Sequence, residues 1–337
     1  MSTSKTYRIW MLSPVPDVRF GRWWTAIGIL LIGFAVYGLA AWLAAQRSGY
    51  FGRFPWTITL FFVAAIAYIV PMFHYIVERT HQALDALGPH LKDPQRLSEL
   101  HDEIERRERG WIIRTTLAAV ILWLLQSRLL SGSWGEMWER IQAGYVMLSF
   151  DIGPLFVWLT MNVAMSALLQ NALLFRRLVP LLNVDILEPD SYLPIGSMAV
   201  TSTLVVLGAM ALLAIMWLGG PIDWWTTLPA LVFFTPVVVL LLLLPVWPLH
   251  RVLKAQRQTA IADAQMTLRA ARQASSDADG ALAKQAAALT LRRELVRLPV
   301  WPFDVGSVLR FTSYAIIVPL TWAGAALIEM LVTLLLE

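Results

Sequence analysis

Seven stretches of this 337-residue chain each run for roughly 20 residues or more with few or no charges, the length an α-helix needs to cross a bilayer. They fall near 23–45, 55–77, 111–130, 143–175, 197–219, 226–249 and 305–336. A soluble domain buries short apolar runs, but so many long ones do not fit one core. With 58% hydrophobic residues, 15% charged residues and a mean hydropathy of +0.61, membrane is the simplest solvent for the chain. The expected fold is therefore all-α: a polytopic integral membrane protein in the lipid bilayer, with about seven transmembrane helices.

The last run sets a separate problem. As one helix it would be about 48 Å long, against about 30 Å of hydrocarbon, so it must tilt, project into water or break at Pro319. A hairpin there would give six crossings rather than seven.

Orientation follows from Lys and Arg. The N-terminus carries four, the 78–114 segment seven, the 176–196 segment two and the 250–310 segment ten, so 23 of the 27 fall on one side of the alternating topology. The positive-inside rule puts that side in the cytoplasm, with the N-terminus in and Glu337 out. Long cytoplasmic helical extensions and short outer loops result. The organisation is then a cytoplasmic or interfacial segment at 1–22, six transmembrane helices over 23–249 with a helical insert at 78–110, a cytoplasmic hairpin at 250–304 and a final helix at 305–337.

Pro14 and Pro16 prevent 1–22 from forming one helix, so it reads either as an interfacial segment or as an unstructured leader. It carries no cleavable signal peptide by its pattern. In the insert, Gly88-Pro89 and Asp93-Pro94 mark breaks, while Leu97, Leu100 and Ile104 recur at helical spacing opposite a charged face. His101 and Glu105 stand four apart and have the types of metal ligands, but two ligands do not make a site. Asn183, Asp185, Glu188 and Asp190 form an acidic inner loop that is either solvated or open to a cation.

The Ala- and Arg-rich 250–304 segment reads as two antiparallel helices turning at Ser275–Gly280. The same five residues, LPVWP, bracket it at Leu244–Pro248 and Leu298–Pro302. Each copy sets a tryptophan between two prolines, which reads as a pair of matched hinges with Trp247 and Trp301 as membrane-interface anchors. Interspersed acids and the lack of interleaved aromatics make the hairpin an assembly module rather than a nucleic-acid site, with homo-oligomerisation through these helices expected.

The tail RLPVWPFDVGSVLRFTSYAIIVPLTWAGAALIE resembles the closing segment of a family of uncharacterised bacterial polytopic inner-membrane proteins, which implies a bacterial inner-membrane location and no particular activity. The architecture also resembles the seven-helix insect odorant and gustatory receptor channels, tetramers lined by their last helix. Their Gln-Phe signature has no counterpart after Tyr314.

Chemistry is sparse. Cysteine is absent, and there is no nucleotide loop, dinucleotide fingerprint, zinc helix or nucleophile elbow, so no cofactor and no enzyme activity are expected beyond a residual lipid-modifying possibility. Charges inside apolar runs are more informative because each is costly at mid-bilayer. Asp151 precedes Gly153-Pro154, where a broken helix would set carbonyls beside a carboxylate and coordinate an ion; pairing with Arg128 or Arg140 is the structural alternative. On the last helix, at about 100° per residue, Arg310, Tyr314, Thr321, Ala325 and Glu329 fall within about 100° of one another, away from Leu320 and Leu327. That stripe is a candidate pore lining. The functional expectation is an oligomeric, cation-conducting channel lined by the final helix, with a sensor or scaffold and a small-solute or ion transporter as the alternatives.

Overall fold

The computed structural model describes residues 6–16, 18–48, 56–136, 139, 153–219, 224–273 and 278–336. Among them nine α-helices form: α1 (Gly21–Ser48), α2 (Trp56–Leu87), α3 (Arg96–Glu105), α4 (Arg109–Ser131), α5 (Gly153–Leu178), α6 (Leu193–Ala211), α7 (Trp224–Gln273), α8 (Ala278–Arg297) and α9 (Val305–Leu336). All but α3 and α8 are long and apolar enough to cross a membrane, which makes seven. A 3₁₀ segment, Leu212–Gly219, extends α6.

The helices divide into an inner and an outer set. In α2 and α5, 61% of the most apolar window is buried within the chain; in α1 and α9 the share is 11%. Phe73, Ile76, Leu84, Phe175 and Leu178 are fully buried where α2 meets α5, and Leu241 and Leu249 of α7 close the same core. Helix α1 lies against α2 so closely that a Cβ on Gly33 would stand 2.6 Å from a Val63 methyl carbon. Helix α9 packs on α6 and the 3₁₀ segment, where Trp322 Nε1 donates to the Met210 carbonyl at 3.2 Å.

The segments assigned to one side by charge meet at one end of the bundle, here called the basic end. Thr6–Arg8 (β1) pairs antiparallel with Arg106–Glu108 (β2), and Ile9 N donates to the Glu105 carbonyl at 3.0 Å. Lys92 N donates to Leu181 O at 2.9 Å and Asn183 N to His90 O at 2.8 Å, which joins the α2–α3 turn to the α5–α6 loop. Gln256 of α7 donates to Val184 O at 2.8 Å.

Two expectations change here, on the N-terminal segment and the LPVWP copies, while the all-α class and the single final helix stand. The N-terminal segment is neither a free leader nor a surface-lying one: it is the partner strand of β2, and Ile9, Met11, Leu12 and Val15 are buried in the main core. The fold thus includes two short strands. Helix α9 is one continuous helix with Pro319 inside it, neither broken nor a hairpin. The LPVWP copies are not matched hinges, because the first lies within the unbroken 50-residue α7 while the second ends the chain's helical run after α8. A proline inside a helix removes one hydrogen bond, and apolar packing on both sides of Pro245 and Pro248 outweighs that loss: Val246 and Leu249 are fully buried. The amphipathic reading of 96–105 holds, with Ile104 buried and Leu97 and Leu100 packed on the core.

Candidate functional site

Open volume is distributed unevenly. Between the helices of the apolar zone, two cavities among the described residues hold about 30 Å³ (around Tyr68, Met165 and Val206) and about 80 Å³ (around Phe61, Trp158 and Met216), and both are lined almost wholly by apolar side chains. At the basic end a cavity of about 650 Å³ opens among α3, β2, α4 and α5, and another of about 630 Å³ opens beside Lys92, Asn183, Asp185 and Gln256.

The first of these is built from charge. Strand β2 contributes Arg106 and Arg107, α4 contributes Arg114 and α5 contributes Arg177. Helix α3 contributes Glu99, Asp102 and Glu103. One ion pair, Arg177 to Glu103 at 3.8 Å, joins the two groups. Strand geometry alternates its side chains, so Arg107 turns inward while Arg106 and Glu108 face out.

Arg107 is the unusual member. Only 5% of it is exposed, yet it enters no ion pair among the described residues. Its Nη2 donates to Asn171 Oδ1 at 3.0 Å and its Nη1 to the Arg106 carbonyl at 3.1 Å, both neutral acceptors, and its Nε has no partner. Trp111 lies beneath, with its ring centroid 5.8 Å from the guanidinium carbon. Burial pulls the guanidinium down from 12.5 to about 10, against a partial opposing pull from Glu103. At neutral pH the group stays charged, so the fold bears the cost of holding that charge out of water.

Beside this cavity lies a histidine pair. The His81 and His101 Nδ1 atoms are in hydrogen-bond contact, while the ring centroids stand 4.7 Å apart with planes only 4° from parallel, so the rings meet edge to edge. His101 Nε2–H donates to Asp85 at 2.9 Å, which leaves its Nδ1 to accept from His81 Nδ1–H. Glu105 lies 3.3 Å from His81 Nε2 without hydrogen-bond alignment and pairs with Arg8 at 3.2 Å. His101 and Glu105 therefore do not share a ligand as their spacing allowed; each faces His81 instead. Among the described residues no cluster has three metal-ligating side chains.

The two LPVWP copies come together. Trp301 stacks on His250 at 3.9 Å, Trp247 lies 6.4 Å from Trp301, and His250 Nδ1 donates to Val300 O at 3.0 Å. Both tryptophans keep exposed faces. Pro302 O sits so close to α6 that a Cβ on Gly196 would stand 1.6 Å from it. Asp304 then starts α9, its carboxyl held below the usual carboxylate range by a hydrogen bond from Ser307.

On α9, Arg310, Tyr314 and Thr321 are exposed, whereas Ala325 is buried on the packing face with Val318 and Ser307. Ala325 thus serves helix packing within the chain. The Glu329 side chain and the whole of Asp151 lie outside the described residues. Arg128 donates to the Gly132 carbonyl and lies over Trp134. In the acidic loop, Tyr192 O–H donates to Asn183 O at 3.0 Å while its oxygen accepts from Asp185 N at 2.7 Å, so a buried tyrosine shapes that loop.

Sequence reading missed Arg107, Asn171 and His81. The one available signal for Arg107 was its place between two charged residues just before an apolar run; Asn171 looked like an ordinary polar residue of a helix. The chain matches no protein-family model, no curated protein and no solved structure.

Proposed function

We propose that the chain is a multi-pass membrane protein, of a bacterial inner membrane by the resemblance of its tail, with the N-terminus and basic end in the cytoplasm. We propose further that it acts as a membrane sensor or scaffold rather than as a conduit through a single chain. The observation that carries this reading is the placement of space among the described residues: wide polar cavities at the basic end, and small cavities with apolar lining between the helices. A solute path needs polar lining across the apolar zone. A binding layer on an apolar anchor needs none.

The test is reconstitution. Proteoliposomes should stay tight to potassium, sodium and protons at any protein density, and tags at the two termini should be reached from opposite faces. Ion flux that scales with protein density would overturn the scaffold reading.

A second reading, an oligomeric channel whose pore lies between copies, is favoured by α9, which is mostly unburied and exposes Arg310, Tyr314 and Thr321. In this cysteine-free chain, cysteines at Tyr314 and Thr321 should then react with an impermeant thiol reagent while cysteines at Leu320 and Leu327 stay protected. Assembly through the α7–α8 hairpin would be read by replacing 252–296 with a short flexible linker, which should leave smaller species on sizing.

A further inference from the structure

Arg107 poses a question that its own protein contacts leave unanswered. A buried guanidinium is ordinarily matched by a carboxylate, because taking the charge out of water is costly unless an opposite charge compensates. Here the hydrogen-bonding partners are a carboxamide and a carbonyl, the Nε–H is bare, and the side chain lines a cavity of about 650 Å³. The fork of a guanidinium fits two oxygens of one phosphate, and Arg114 and Arg177 line the same cavity.

A simple anion does not fit the whole cavity. Glu99, Asp102 and Glu103 of α3 and Glu108 of β2 line it as well and would repel a second negative group. The arginines come from β2, α4 and α5, while three of the four carboxylates come from α3, so most of the negative charge lies on one element. A lining of this kind suits a ligand that carries both signs. Its depth is also defined: Trp111 and Leu173 line it, and the apolar run of α4 begins at Arg109, so the cavity sits where headgroups would lie if the bundle spans a membrane.

We propose that this cavity binds a phosphate joined by a short tether to an ammonium group, the chemistry of a phosphoethanolamine headgroup, with the phosphate on Arg107 and the ammonium toward the α3 carboxylates. The proposal rests on reading the basic end as the binding layer. The ligand source is either a membrane lipid or the free headgroup compound, and the shared chemistry is the same.

The experiment uses the full chain, stripped of phospholipid in detergent, and reads thermal unfolding together with native mass spectrometry. Four probes are compared: O-phosphoethanolamine, inorganic phosphate, and phosphatidylethanolamine or phosphatidylglycerol in mixed micelles. Expected is a rise of several degrees and a stoichiometric adduct with phosphatidylethanolamine, at least tenfold tighter than with phosphatidylglycerol. A matching response to O-phosphoethanolamine identifies the headgroup alone as sufficient; a response to the lipid only identifies the lipid as the source, and either supports the proposal.

Arg107→Gln should abolish the response, and Arg107→Lys, which keeps the charge and guards against misfolding, should weaken it at least tenfold. Glu99→Gln combined with Asp102→Asn should remove the preference over phosphate. Equal or tighter binding of phosphate or phosphatidylglycerol would overturn the proposal, as would a response untouched by Arg107→Lys or no response to any probe. Liposome tightness is measured separately, so a failed ligand in tight liposomes sinks this site alone, whereas a bound ligand in leaking liposomes sinks the scaffold reading alone.

Discussion

The apolar zone and the basic end of this bundle satisfy their polar groups in opposite ways. In the apolar zone most hydroxyls turn back to their own helix: Thr115 donates to Trp111 O, Thr160 to Phe156 O and Thr203 to Ala199 O, each four residues back. At the basic end the bonds reach far along the chain, from Lys92 to Pro180 O, Arg107 to Asn171, Gln256 to Val184 O and His250 to Val300 O. Local bonds fix no tertiary arrangement, so in the apolar zone the neighbours are chosen by side-chain shape. At the basic end they are chosen by specific donors and acceptors. Three cross-helix bonds among the described residues are exceptions: Tyr68 to Val205 O and Trp322 to Met210 O mark where α2 and α9 meet α6, and Trp158 Nε1 to Gln126 Oε1 marks where α5 meets α4.

That contrast breaks most visibly by emptying the apolar core. Phe73 is fully buried in the core beside the small apolar cavity that Met165 and Val206 also line, and Phe73→Ala should cost about 3–5 kcal/mol, read by denaturant unfolding in detergent. A loss below about 1 kcal/mol would mean that shape does not decide this zone. At the basic end, Asn171→Leu should cost about 1–3 kcal/mol by taking an acceptor from a buried cation. Combining it with Arg107→Met should restore much of that loss, since no charge then remains to be satisfied. A double variant no better than the single one would show that the pair is not coupled.

These long-range partners were the part that the sequence did not disclose. Periodicity located the apolar helices, because one solvent acts on every residue of a run; alternate loops held the basic residues, and the same four segments do meet at one end. Nothing in periodicity tells which loop carbonyl faces which donor. Arg107 and Asn171 are 64 positions apart, and the partner strands at Thr6 and Arg106 are farther still. The LPVWP repeat shows the limit best: five identical residues continue a helix at Leu244 and end one at Leu298. The first copy lies between two apolar turns that pack in the core. The second leads into an extended stretch pinned by Gly196 and capped by Asp304, contacts that no local pattern records.

Gly196 supplies a third, intermediate test. Gly196→Ala must displace the Pro302 backbone and should cost about 1–3 kcal/mol, with a loss of Trp301–His250 stacking visible as a change in near-ultraviolet circular dichroism. An unchanged spectrum would mean that the second copy is not held by this contact.

The histidine pair gives a smaller effect with a defined sign. Burial, and after it the neighbouring His101, hold the His81 imidazole below its ordinary range against opposing pulls from Glu105 and Asp85, so a proton added to His81 costs stability. Imidazoles ordinarily fill near about pH 6.5, so lowering the pH from about 7.5 to about 5 should reduce Tm by a few degrees more in the wild type than in His81→Gln. Parallel curves would remove the pair from any role in α2–α3 docking. Smallest of all, Thr203→Val should change stability by less than about 1 kcal/mol, because it deletes a bond that only closes on its own helix.

The unbroken α7 has a mechanical consequence. At 1.5 Å per residue its 50 residues measure about 75 Å, and the 26 residues beyond Trp247 form an arm of about 39 Å with no joint at the boundary. A rotation of about ten degrees at the core would sweep the tip by about 7 Å. With Leu249 and Leu253 in the core and no joint at the first LPVWP copy, a shift of Leu241 and Leu249 against their neighbours would carry along the rigid helix toward the far end of the hairpin.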